Sequence, residues 1–236
     1  MSAGANGNVD PRVSGADHGN ALYLDCETTG LDVDAKITCV AVTGATGKTT
    51  TWHSGHAECM TREMASSVVD FLVEATAGGA TLYTFNGAAF DLRLLWQLSQ
   101  RDELKALATA HCDVLVDFVA DARYYSSMDS FAVATLGKDN AKTNSGGWAA
   151  TAWFDGGATE VLEYCVHDTT VLKQLVETVA AVGRLSRLTK ATKTVVWVAP
   201  SLDGTIRTVE TALKNANPVP AWMSDPPALP DVSWTE

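Results

Sequence analysis

Two acidic residues two positions apart, Asp25 and Glu27, are the side chains in this sequence best suited to chemistry. They follow the mostly apolar stretch 21–24, which is typical of a buried strand, and the segment 28–30 (Thr-Thr-Gly) turns the chain after them. Alternate side chains of a strand share a face, so both carboxylates should point the same way. Such anions a few Å apart repel by up to about 4 kcal/mol at an effective dielectric near 20. A divalent cation between them is the simplest compensation, and the pair therefore predicts a metal site.

Three further residues extend this set. Asp91 falls in the first turn of a helix expected from about Ala88, and Asp168 lies in a long helix expected from Thr159. Tyr164 precedes Asp168 by four residues, which places phenol and carboxylate on one helix face. Hard oxygen ligands suit Mg²⁺ or Mn²⁺. Two such ions about 4 Å apart can activate a water and neutralise a leaving oxygen, which is the chemistry of phosphodiester hydrolysis.

The segments that carry these residues resemble the three exonuclease motifs of the DEDD 3′–5′ exonuclease superfamily. They are Leu24 to Leu31 (LDCETTGL), Phe85 to Leu95 (FNGxxFDxxxL) and Tyr164 to Asp168 (YCVHD). The Y-x-x-x-D form of the third motif is similar to the tyrosine subgroup, which includes the proofreading domains of family A and family B DNA polymerases. The stretch 128–137 and the glycine-containing loop after it resemble stand-alone exonucleases related to the family B proofreading domain. The resemblance covers about residues 20 to 180 and implies a ribonuclease H-like fold.

The resemblance also implies roles for the matched residues. Asp25 would contact both metal ions, Glu27 and Asp168 would complete the ion on the nucleophile side, and Asp91 would bind the other ion. Tyr164 would orient the attacking water, since an ordinary phenol with a pKa near 10 is a poor base at neutral pH.

Four more matched residues would line the substrate cleft. Thr28 and Leu31 would lie against the 3′-terminal nucleotide, and Asn86 and Phe90 would shape the cleft wall. The residue types alone leave a second interpretation open for all four, because packing or turn formation explains them equally well.

The elements expected around these residues form an α/β domain. After the first strand, a β-hairpin is expected at 37–42 and 48–53, followed by a helix at 61–77 that Thr61 caps. A strand at 80–85, helical stretches at 88–98 and 99–107, and a short strand at 112–115 come next. This order predicts a mixed five-stranded sheet with helices on its faces. The segment 118–156 is the least regular, with a short helix at 131–136 and a mobile loop at 138–147.

The domain is expected to occupy residues 20–183, with a different segment on each side. Residues 1–19, rich in Gly, Asn, Ala and Asp, should be disordered. Residues 184–236 form a C-terminal extension, with a hairpin of Val195–Ala199 and Thr205–Val209 around Ser201–Gly204 and a proline-rich tail. Six cations between Arg184 and Lys214 make a basic strip here, which is either a phosphate contact or a solvated face.

Composition adds limits. The 236 residues carry a net charge of −11, which opposes general attraction to nucleic acid. No apolar run is long enough to span a membrane, and the beginning of the sequence lacks the pattern of a signal peptide. Five scattered cysteines are typical of reduced thiols in the cytoplasm.

The leading hypothesis is a metal-dependent 3′–5′ exonuclease acting on single-stranded DNA or RNA 3′ ends, with DNA favoured. A proofreading or repair role would require a polymerase or a replication or repair complex as partner. Two alternatives belong to other classes: a non-catalytic nucleic-acid-binding accessory subunit, and a phosphoesterase acting on a small nucleotide.

Overall fold

The computed structural model describes residues 21–32, 34–140, 146–201 and 205–236. The segment predicted to be disordered, 1–19, lies outside the described residues, and so do residues 141–145 of the predicted mobile loop at 138–147. Among the residues that the structure describes, no helix has both the length and the apolar character needed to cross a membrane.

Five strands form the central sheet, and they confirm the predicted mixed α/β architecture. In chain order they are β1 (Ala21–Thr28), β2 (Ile37–Gly44), β3 (Thr49–His53), β4 (Thr81–Thr84) and β5 (Cys112–Asp113). The spatial order is β3-β2-β1-β4-β5. The hairpin pairs β1–β2 and β2–β3 are antiparallel, whereas β1–β4 and β4–β5 are parallel. β1 is therefore the central strand, with an antiparallel neighbour on one side and a parallel one on the other.

Helices cover both faces of this sheet. They are α1 (Arg62–Ala77), α2 (Asp91–Ser99), α3 (Glu103–Ala110), α4 (Val114–Ala122), α5 (Met128–Leu136), α6 (Gly146–Ala152), α7 (Ala158–Val182) and α8 (Val209–Lys214). All eight residues of β2 are buried, because alternate side chains enter different layers. Val40 and Val42 pack with α1 and α2, and Cys39 and Ala41 pack with α6 and α7.

Two helices replace predicted irregular structure. The strand expected at 112–115 ends at Asp113, whose carboxylate accepts the Leu115 and Val116 amides and so begins α4. The prediction of irregular chain from Phe118 is therefore wrong for α4, and it is also wrong for α6. The short helix predicted at 131–136 is confirmed as α5, which Ser127 caps through the Ser130 amide.

The predicted C-terminal hairpin is wrong in its strand pairing. A second, two-stranded sheet pairs β6 (Arg184–Leu188) with β7 (Thr194–Val198), so β7 pairs with the segment before it. The other strand of the predicted hairpin was expected at 205–209. There, Ile206 packs in the core, and Thr208 caps α8 and makes one bridge to Cys112. Residues 205–209 therefore form no strand and contain only one isolated bridge and the first residue of α8.

Candidate active site

The carboxyl end of β1 carries the pair of acids on which the site is built. A carboxylate oxygen of Asp25, one of Glu27 and the Cys165 sulfur all lie within 4.8 Å of one another. Asp25 is half-buried and Glu27 is buried. The expected shared face of Asp25 and Glu27 is thus present in the structure. Because carboxylate oxygens are hard ligands, this donor pair fits Mg²⁺ or Mn²⁺.

Asp91, the first residue of α2, reaches the same strand end. Its Oδ1 accepts the backbone N–H of Cys26 at 3.0 Å, and Cys26 stands between Asp25 and Glu27. Only 5% of Asp91 is exposed. Burial raises the pKa of this carboxyl to about 7, although hydrogen bonds from Cys26 act in the opposite direction. A bound cation would favour the ionised form and reverse the shift.

Helix α7 packs against β1 and β2 and contributes the third part of the site. The Cys165 thiol donates to the backbone carbonyl of Asp25 at 3.4 Å. Tyr164 precedes Cys165, Asp168 lies one turn after it, and both are buried. The Tyr164 ring also meets Trp148 of α6 edge to face, with centroids 5.9 Å apart. Tyr164 and Asp168, the predicted catalytic residues of α7, therefore flank Cys165, which contacts Asp25.

A family profile described as the RNase H superfamily matches residues 22–180, about two thirds of the chain. The chain belongs to the RNase H superfamily. The match includes all the site residues described above and ends just before β6.

A solved structure agrees with this RNase H superfamily assignment at the level of the fold. The family B DNA polymerase from the hyperthermophilic archaeon Pyrobaculum calidifontis is similar with a TM-score of 0.51 and 16% sequence identity. The likeness covers 67% of this chain but only 24% of the polymerase. Comparison with curated proteins gives no match.

The loop before α2 owes much of its sequence to local geometry. Asn86 has a positive φ of 72°, a conformation that asparagine tolerates better than most residues. A Cβ on Gly87 would lie 2.6 Å from Thr84 side-chain atoms, so only glycine fits there. The Asn86 and Ala88 amides both donate to the buried Asp113 carboxylate, at 2.9 and 3.0 Å. Asp113 thus holds the loop that leads to Asp91.

The four predicted substrate residues occupy different environments. The Thr28 hydroxyl donates to the Gly30 carbonyl at 2.6 Å, which stabilises the turn after β1. Phe90 packs against the core, and Asn86 forms the turn described above. Leu31 is 81% exposed and lies outside the buried cluster. Packing and turn formation therefore account for Thr28, Asn86 and Phe90, whereas Leu31 is an apolar side chain exposed to solvent beside the site. Substrate contact remains a prediction for all four.

Sequence reasoning missed three residues that shape the site: Cys165, Trp148 and Asp113. For Cys165 a signal was present, because it lies three residues before Asp168 and shares a helix face with it. A hydrogen bond with Cys39, burial and the nearby carboxylates raise the pKa of the Cys165 thiol well above its ordinary value. The thiol is therefore a neutral neighbour of Asp25 in the metal-free protein. Trp148 and Asp113 carry no comparable signal, since long-range contacts define their roles.

Proposed function

We propose that this member of the RNase H superfamily is a metal-dependent 3′–5′ exonuclease of the tyrosine subgroup that hydrolyses single-stranded nucleic acid, with DNA preferred. The observation that carries the proposal is the convergence at the end of β1. The Asp25 and Glu27 oxygens lie within 4.8 Å, and Asp91 binds the amide between them. Acids gathered in this way favour a cation site over a purely structural arrangement.

In this proposal, four carboxylates hold two Mg²⁺ or Mn²⁺ ions: Asp25, Glu27, Asp91 and Asp168. The bound ions supply an acidified water and neutralise charge on the phosphodiester. Tyr164 orients the attacking water through its hydroxyl. Its edge-to-face contact with Trp148 fixes the ring direction.

The 3′-terminal nucleotide is proposed to lie beside the turn after β1. Leu31 offers an exposed apolar contact for a sugar or base, and Thr28, Asn86 and Phe90 are proposed to line the same cleft. A proofreading or repair role would need a separate polymerase or a replication or repair complex. The five free cysteines suit a reducing compartment, and we therefore assign the reaction to the cytoplasm.

A gel assay tests the activity. DNA and RNA single strands, labelled at either end, are incubated with Mg²⁺, Mn²⁺ or EDTA. We expect 5′-labelled strands to shorten stepwise and 3′ label to be released at once as a mononucleotide, only with metal. Asp25→Ala should abolish cleavage, whereas Glu163→Ala, which removes an exposed carboxylate of α7, should leave it unchanged. Intact strands in both metals would contradict the proposal and favour the accessory-subunit alternative.

Tyr164→Phe tests the role of the hydroxyl. We expect turnover to fall by roughly 10²- to 10⁴-fold, the usual span of acid–base contributions, with Mn²⁺ affinity and melting temperature retained. Tyr125→Phe is the matched control, because this exposed tyrosine bonds the Ala228 carbonyl far along the chain. Unchanged turnover in Tyr164→Phe would exclude Tyr164 from the mechanism.

A second candidate function is phosphodiester hydrolysis of a small nucleotide substrate. The net charge of −11 favours it, and so does the position of the basic strip. The strip begins directly after Gly183, which caps α7. Gly183 is 15 residues beyond Asp168, so the strip begins about 22 Å from Asp168 along the helix, at 1.5 Å per residue. A nitrophenyl ester of thymidine monophosphate distinguishes the two, since hydrolysis of this ester without cleavage of any oligonucleotide would support the small-substrate function.

A further inference from the structure

The loop that delivers Asp91 is held at one residue, Ala88, by two residues that are distant in sequence. The Ala88 N–H donates to Asp113 Oδ2 at 3.0 Å, and the Ala88 carbonyl accepts the indole N–H of Trp234 at 2.9 Å. Ala88 is fully buried. Trp234 is 146 positions away in sequence and lies outside the region that matches the superfamily.

Ala88 is well placed to influence Asp91. On its N-terminal side, Asn86 adopts a positive φ. On its C-terminal side, the Phe90 amide donates to the Asn86 carbonyl and the Leu92 amide donates to the Gly87 carbonyl. Asp91 lies between these two donors, so movement of Ala88 would move the backbone that carries Asp91.

Trp234 is held in place by contacts other than the bond to Ala88. Its ring packs against Trp96 of α2 with centroids 5.7 Å apart, and Lys105 lies 5.4 Å over the Trp96 ring. Lys105 also donates to the Glu236 carbonyl at 2.8 Å. Removing the indole N–H alone should therefore leave the tail in contact with α2 and α3.

We propose that Trp234 is a positioning residue for Asp91, acting through the Ala88 carbonyl. The C-terminal tail completes the site from outside the superfamily domain, because Asp113 and the indole together fix the two peptide groups that flank the Ala88 Cα. The effect on catalysis rests on the proposed function, since Asp91 is there a metal ligand. The effect on the loop conformation does not depend on the proposed function.

Trp234→Phe tests the inference, because it keeps an aromatic ring and removes the donor. Trp222→Phe is the matched control, since Trp222 lies in the same tail and is 76% exposed. Hydrogen exchange of peptides covering 86–92 should be about tenfold faster in Trp234→Phe, the change that loss of one hydrogen bond worth about 1.4 kcal/mol would produce. Trp222→Phe should match the unchanged protein.

Two further measurements separate positioning from general stability. Calorimetric titration should show Mn²⁺ binding weakened several-fold in Trp234→Phe. Turnover on a single-stranded DNA should fall by about tenfold, while KM stays within twofold. Lys105→Gln, which loosens the tail without touching the loop, should shift exchange and Mn²⁺ affinity in the same direction by less.

Unaltered exchange over 86–92 in Trp234→Phe would overturn the inference, and so would faster exchange with unaltered Mn²⁺ affinity. Failure of the proposed function has a different signature. In that case the unchanged protein cleaves no oligonucleotide, whereas exchange and Mn²⁺ titration still report whether Trp234 positions the loop and its acid.

Discussion

Two groups of carboxylates in this domain differ in what surrounds them. Asp25 and Glu27 lie together at the end of β1, where Asp91 binds the Cys26 amide, and the proposed site adds Asp168 from α7. The second group lies along α4, at Asp113, Asp117 and Asp121, spaced four residues apart on one helix face.

Each carboxylate of the α4 group has donors from the folded chain. Asp113 accepts backbone amides and the Thr84 hydroxyl. Asp117 pairs with Arg207 at 2.6 Å, and Asp121 accepts from Trp197 and Asn217. Because Arg207, Trp197 and Asn217 belong to the C-terminal extension, Asp117 and Asp121 attach this extension to the domain. These donors tie the α4 acids into the fold, whereas the acids at the end of β1 are those that the proposed function assigns to a cation.

The largest difference should appear on removing one acid from the α4 group. Asp117→Ala leaves the Arg207 guanidinium partly buried without its partner, and we expect a loss of about 3–5 kcal/mol in the free energy of unfolding. Urea denaturation measures it. Asp70→Ala is the control, since it breaks an exposed pair with Arg101 worth about 1 kcal/mol or less. Equal losses for the two variants would contradict the structural role of Asp117.

The second largest difference between the β1 acids and the α4 acids should appear in how the stability of the metal-free protein depends on pH. Burial raises the pKa of Asp91 to about 7 in the folded protein, against about 4 unfolded, so the native state binds this proton more tightly. The stabilisation is complete below about pH 4 and is lost as pH rises through 7, at up to about 1.4 kcal/mol per pH unit. Thermal melts in EDTA from pH 5 to 8 should therefore show falling stability that Asp91→Asn reduces. Identical slopes would argue against a raised pKa.

Asp168→Asn should raise stability in EDTA, because a neutral isostere relieves repulsion among the gathered acids. Adding Mn²⁺ should reverse part of this gain, since the unchanged protein gains about 2.7 kcal/mol at a hundredfold excess over Kd and the variant binds less well. Calorimetry with and without Mn²⁺ measures both effects. If the variant melts lower than the unchanged protein in EDTA, and Mn²⁺ stabilises both equally, then Asp168 has a structural role like the α4 acids.

The smallest effect should come from the basic strip at the other end of α7. Two of its cations serve the interior: Arg187 stacks on the Tyr124 ring at 4.3 Å, and Arg207 pairs with Asp117. Lys190 and Lys193 are exposed. Changing both to Gln should leave the salt dependence of single-stranded DNA binding unaltered in fluorescence anisotropy. A slope smaller by about one unit per lost contact would show that they bind phosphates.

Local sequence patterns determined much of the fold and of the site. Strand alternation predicted the common face of Asp25 and Glu27, and the order of elements predicted the mixed five-stranded sheet. The spacing of Tyr164 and Asp168 placed them together on α7. These inferences succeed because periodicity and capping act over a few residues, within the reach of a sequence motif.

Tertiary structure decided what depends on partners far away in the chain. Asp113 ends β5 and begins α4 while also holding the 86–88 loop, and nothing near it in sequence reveals the second task. β7 pairs with β6 and not with 205–209, where Ile206 enters the core and Thr208 caps α8. Trp234 reaches Ala88 only because the chain returns across α2 and α3. Such contacts depend on which surfaces meet in the packed domain, and the propensity of a local segment for helix or strand does not predict them.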